Sequence, residues 1–67
     1  MAHIETIQTA FENVAGHISN LDAVRNIIEM IEKECNNLLE SIQFMERQMS
    51  EAEVTLRTDM RILLNEI

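Results

Sequence analysis

Proline, tryptophan and tyrosine are absent from this chain, glycine occurs once, at Gly16, and Phe11 and Phe44 are its only phenylalanines. A compact single-chain core usually takes bulk from aromatic side chains and marks the ends of its elements with Gly and Pro. Their scarcity points to long helices. Bases are scarce too: Arg25, Lys33, Arg47, Arg57 and Arg61 stand against 12 acids, leaving a net charge of −7. Residues 1–20 contain no Lys or Arg. Such a surface repels phosphate, so neither nucleic acid nor an anionic membrane is expected as a partner. No run approaches the roughly 18 apolar residues that read as a bilayer span, and the N-terminal residues lack the pattern of a signal peptide. Direct membrane insertion is not expected. The single cysteine, Cys35, cannot form an internal disulfide, which suits a reducing, cytoplasmic compartment.

What is present is an apolar repeat. Ile7, Val14, Leu21, Ile28, Cys35, Ile42, Met49, Leu56 and Leu63 stand seven residues apart along nearly the whole chain. A seven-residue apolar period on a helix makes one face that is buried only against another helix. The 67 residues leave room for one domain, and so short a chain seldom buries enough surface without partners. The pattern therefore predicts an all-α protein: a long coiled-coil helix assembling into a multi-helix bundle. A fully helical rod of this length would extend about 100 Å at ~1.5 Å per residue. Glu29 before Lys33 and Glu53 before Arg57 have the spacing of favourable i, i+4 pairs.

A companion column completes the seam and changes side twice. It begins as Ile4, Phe11 and Ile18, becomes Val24, Ile31, Leu38, Met45 and Ala52, and ends as Met60 and Ile67. The steps 18, 21, 24 make a stammer and the steps 52, 56, 60 a stutter, which overwind and unwind a coiled coil. Gly16, Ser19, Asn20 and Asp22 mark the first irregularity, and Ser19 with Asp22 resembles a capping pair. The reading is a strained continuous helix, with a break or hairpin at residues 16–20 as the alternative. It divides the chain into a short N-terminal segment, 1–18, and a long coiled-coil helix, 19–67. Ser50 and Glu53 have capping-box form at the second irregularity. With no Gly or Pro beside them, the helix is expected to run through. Ile67 is still in apolar phase without a capping signal, which suggests a segment of something longer or a helix continuing into a partner.

The flanks bear on the partner. Ile27, Leu39, Met30 and Phe44 lie off the seam and widen the apolar face, as in a helix touching two neighbours. A homo-trimer or tetramer is therefore favoured over a dimer. A parallel homodimer would oppose Ile27 to Glu32, Glu34 to Leu39, Ser41 to Glu46 and Gln48 to Glu53, with no attractive ion pair. An antiparallel one centred on Leu39 would match Arg25 with Glu53 but set Glu32 against Glu46. The acidic flank fits other coiled-coil subunits with basic flanks better, although each exposed pair contributes only tenths of a kcal/mol.

Few residues suggest chemistry. Cys35 lies in the seam near Glu32 and Glu34, surroundings that raise a thiol pKa, so it reads as a core residue rather than a nucleophile. His3 and His17 are about 21 Å apart along a helix at ~1.5 Å per residue, too far to hold one metal ion. Glu32 with Glu34, and Glu51 with Glu53, point apart on a helix, so neither pair converges on a substrate. Met30, Met45, Met49 and Met60 could form an adaptable surface, but three of them fall in the seam and read as core filling. No catalytic site, metal or cofactor is expected. The reading is a non-catalytic oligomerisation module of a larger protein. The alternatives are a small acidic subunit of a heteromeric cytoplasmic complex, of tether or adaptor type, or a monomeric hairpin that binds an amphipathic peptide.

Overall fold

The computed structural model describes residues 2–67, which form four α-helices: α1 (Ala2–Val14), α2 (Leu21–Glu34), α3 (Leu38–Glu51) and α4 (Val54–Glu66). Each carries an inward stripe at helical spacing. Ile4, Ile7, Ala10 and Val14 are buried on α1, and Val24, Ile27, Ile28 and Ile31 on α2. On α3 the stripe is Leu38, Ser41, Ile42, Met45 and Met49; on α4 it is Leu56, Asp59, Met60 and Leu63, continued by Ile67. A stripe repeating at three and four residues is the amphipathic face of a packed helix.

No long coiled-coil helix occurs among the described residues. The helices have 13 or 14 residues each, and the stretch 19–67 is three of them. They fold back so that α4 packs against α1, α2 and α3. The molecule measures 28 × 24 × 19 Å, with a radius of gyration of 10.6 Å. A single globular domain of this length is expected to have a radius of gyration near ~11 Å, whereas the rod would reach about 100 Å.

Three interruptions cause the difference. The first lies where the sequence allowed it: α1 gives way to a 3₁₀ turn, Ala15–His17, and Ile18 is extended before α2 begins. The second was not foreseen. Cys35 is not in mid-helix; it caps the end of α2 in extended conformation (φ −108°, ψ 141°). Asn37 then starts α3, its Oδ1 accepting from the Glu40 N–H at 2.9 Å. Glu40 Oε1 in turn accepts from the Asn36 N–H at 2.9 Å, close to a capping box with Asn in the lead. The third falls at the stutter, where the helix was expected to continue. Ala52 and Glu53 are extended, and Arg57 closes the turn by donating from Nε to the Met49 carbonyl (3.3 Å) and from Nη2 to the Ala52 carbonyl (3.1 Å). A cation at the C-terminus of α3 satisfies carbonyls that the helix leaves open.

The α1–α2 connection is also held from a distance. Asp59, at 1% exposure, sits in the core stripe of α4. Its Oδ1 accepts from the Ser19 N–H (3.0 Å), and its Oδ2 from the Asn20 N–H (2.8 Å) and Nδ2 (2.9 Å). The expected Ser19–Asp22 cap does not form: Asn20 is the N-cap of α2 and makes no side-chain cap bond of its own. The carboxylate of Asp59 takes over the amides just ahead of α2.

Candidate interaction surface

The seam residues lie inside one chain. Ile4, Ile7, Val14, Ile18, Val24, Ile28, Ile31, Cys35, Met45, Met60 and Leu63 are buried together. Phe11, Leu38, Ile42, Met49, Leu56 and Ile67 are partly buried against them, and Ala52 is half-buried. Leu21 departs from the pattern. It opens α2 at the edge of the bundle and is 38% exposed, while Ile27, outside the seam, is buried at 6%. The physical reason is the break: α2 starts afresh at Leu21, so its inward face is set by Val24, Ile27, Ile28 and Ile31 and not by the register of α1.

What remains outside is a charged surface with some apolar relief. Met30, Leu39 and Val54 are exposed along with Leu21. Packing helices side by side also makes grooves. The largest described, about 560 Å³, lies between α1 and α2 and is lined by Gln8, Phe11, Glu12, Arg25, Ile28, Glu29 and Glu32. Half-buried Phe11 and buried Ile28 supply its apolar surface. The Arg25 guanidinium stands 5.8 Å from the centroid of the Phe11 ring and 3.5 Å from Asp22. A second, about 420 Å³ between α1 and α4, is mostly polar, with Glu5, Thr9, Asn13 and Glu66 in its lining. A third, about 320 Å³ between α3 and α4, is lined by Glu46, Met49, Ser50, Arg57 and Leu64. A fourth, about 270 Å³, has Cys35 and Phe44 among Glu34, Glu40, Gln43 and Arg47.

The chemistry-bearing side chains do not gather. Burial pushes the Cys35 thiol up, a hydrogen bond with the Ser41 side chain works against this, and Glu40 and Glu34 add to the rise. Such a thiol stays protonated and packs as a small hydrophobe. His17 is exposed in the 3₁₀ turn and His3 is half-buried on α1. Among the described residues no group of three His, Cys, Asp or Glu side chains is arranged to hold a metal ion, and no helix is long and apolar enough to cross a membrane. Asp59 is the functional-looking residue that sequence reasoning passed over. Burial alone would raise its carboxyl, but the bonds from the Ser19 and Asn20 N–H groups and the Asn20 side chain outweigh it and hold the group below the usual range. Its signal was a charge on the apolar stripe of α4. Comparison with protein-family models, curated proteins and solved structures found no match.

Proposed function

We propose that this chain is a non-catalytic, acidic helical domain that works by protein–protein association, as a small subunit docking to a different polypeptide. The observation that carries this reading is the place of the heptad face, which packs against the chain's own helices. Assembly through that face would require opening the core. The surface left for a partner is acidic, in keeping with a net charge of −7, and is relieved by shallow grooves between helices. A surface of one sign selects partners of the other and speeds their encounter. The buried, protonated thiol of Cys35 fits a reducing, cytoplasmic compartment.

Self-association into a trimer or tetramer is the competing reading, and the exposed Leu39 and Val54 favour it, at 66% and 73% exposure. Sedimentation equilibrium with circular dichroism over a concentration series separates the two. The expected result is a helical monomer whose helicity does not depend on concentration. A helical oligomer of fixed stoichiometry would restore self-association. A chain that is unfolded alone would remove the self-contained core on which the docking reading stands.

A further inference from the structure

We propose that the groove between α1 and α2 receives a basic amphipathic helix of a partner protein. This deepens the docking reading above and rests on it. The groove is the largest of those described, about 560 Å³. Its apolar surface comes from Phe11 on α1 and Ile28 on α2. Glu12, Glu29 and Glu32 supply three acids around it, and Arg25 the only base. Arg25 leans over the Phe11 ring and beside Asp22 with its side chain still 58% exposed, so it offsets one of the three acids and leaves the other two in excess. The charge open to a newcomer is therefore negative.

The dimensions suit a helix. On α2 the lining runs from Arg25 to Glu32, about 10 Å at ~1.5 Å per residue, or roughly two turns. A partner helix would present apolar anchors at i and i+3 or i+4 to Phe11 and Ile28, with Lys or Arg beside them facing the glutamates. The anchors cover the apolar surface that half-buried Phe11 leaves open, and binding also needs the attraction of the glutamates. The glutamates select the partner, since exposed ion pairs are individually weak but reject an acidic helix. The α3–α4 groove carries no such bias, having Glu46 set against Arg57.

The test is a titration of the isotope-labelled full chain, followed by amide chemical shifts. One synthetic peptide places Leu at helical spacing with Lys on either side, and its counterpart carries Glu in place of Lys. The basic peptide is expected to shift Gln8, Phe11, Glu12, Ile28, Glu29 and Glu32, and the acidic one to leave them unmoved. The double variant Glu29→Lys with Glu32→Lys is expected to weaken binding about tenfold. The double variant Glu51→Lys with Glu53→Lys, equal in charge but outside the groove, is expected to leave it within about twofold. All four glutamates are exposed, so both variants should fold, which circular dichroism checks.

Equal weakening by both variants, shifts centred on Met49 and Leu64, or no binding would overturn the groove as the site. Shifts at these residues that grow with the concentration of the chain alone would replace the partner helix with a second copy. None of these peptide results bears on whether the chain is a folded monomer. The sedimentation experiment decides that separately.

Discussion

Asp59 and Asn20 are joined by two hydrogen bonds to one oxygen: Oδ2 of Asp59 accepts from the Asn20 N–H at 2.8 Å and from its Nδ2 at 2.9 Å. The residues are 39 apart in sequence. The contact fixes where α2 begins relative to α4, and it exists only when the bundle is closed. Charge-assisted bonds of this kind are the stronger class, and here three of them converge on one buried carboxylate from exposed Ser19 and half-buried Asn20.

Asp59→Ala should therefore lower unfolding stability by about 2–3 kcal/mol in a urea titration, a large share for so small a domain. Asp59→Asn should lose less but still register. The wild type should also weaken in acid. The carboxyl is held below its ordinary value in the fold, so its contribution is complete above the unfolded-state pKa of about 4 and is lost as pH falls through the lowered folded value. Melting curves of wild type and Asp59→Ala should converge at the acid end. Parallel curves would show that the carboxylate carries no stabilisation.

Cys35 should be unreactive while the chain is folded. The residue is 8% exposed, and its ionisation is pushed up by burial and by Glu40 and Glu34. Alkylation at neutral pH should be slow in buffer and fast in urea. Its onset in the native protein should lie at higher pH than in the denatured chain. Equal rates in the two states would place the thiol at the surface.

The register of α2 separates a closed bundle from a continuous seam. Ile31 is fully buried whereas Leu21 is 38% exposed. Ile31→Ala should cost about 2–5 kcal/mol, as large-to-small changes in a core do. Leu21→Ala should stay within about 0.5 kcal/mol. In one uninterrupted coiled coil both would be seam residues and both would be severe. Comparable losses in urea midpoints would favour that rod.

Asn37 starts α3 by accepting from the Glu40 N–H. Asn37→Ala should lower stability by about 1 kcal/mol, the usual worth of such a cap. Asn36→Ala, which keeps the N–H that Glu40 accepts, should be close to neutral. If Asn37→Ala is silent by thermal melting, the second interruption does not depend on that cap.

Gly16 does not need to be glycine for its backbone. Its φ is not positive, and a Cβ built there would meet nothing within 4 Å. Gly16→Ala should raise stability by about 0.4–1 kcal/mol by restricting the unfolded chain. A loss on calorimetry would mean that the 3₁₀ turn tolerates no side chain.

Much of this architecture was legible in the residues. Absent Pro, near-absent Gly and an unbroken supply of helix formers determined that the chain is helical. The spacing of Ile7, Val14, Ile28 and Met60 put the right residues of α1, α2 and α4 in the core, because that follows from 3.6 residues per turn and burial of apolar surface. Leu21 and Ile27 exchanged places once α2 started afresh. Two of three interruptions disturbed the apolar pattern, at Gly16 and at the 52, 56, 60 stutter. The one at Cys35–Asn37 hid behind an apolar residue in the right phase, and only Asn37 with Glu40 marked it as a capping signal.

Only the tertiary structure decided what the apolar faces meet. A stripe that fits a neighbouring chain fits the chain's own next helix equally well, and hydrophobic burial has no direction of its own to choose between them. The choice falls to short polar breaks, which cost little in sequence and redirect everything after them. Asp59 shows the same division. By sequence it is a charge in an apolar column; only when α4 lies against residues 19–20 do the amides arrive that make a buried carboxylate favourable. The grooves between the helices, and the acidic setting of Phe11 and Ile28, exist for the same reason: α1 and α2 were brought side by side.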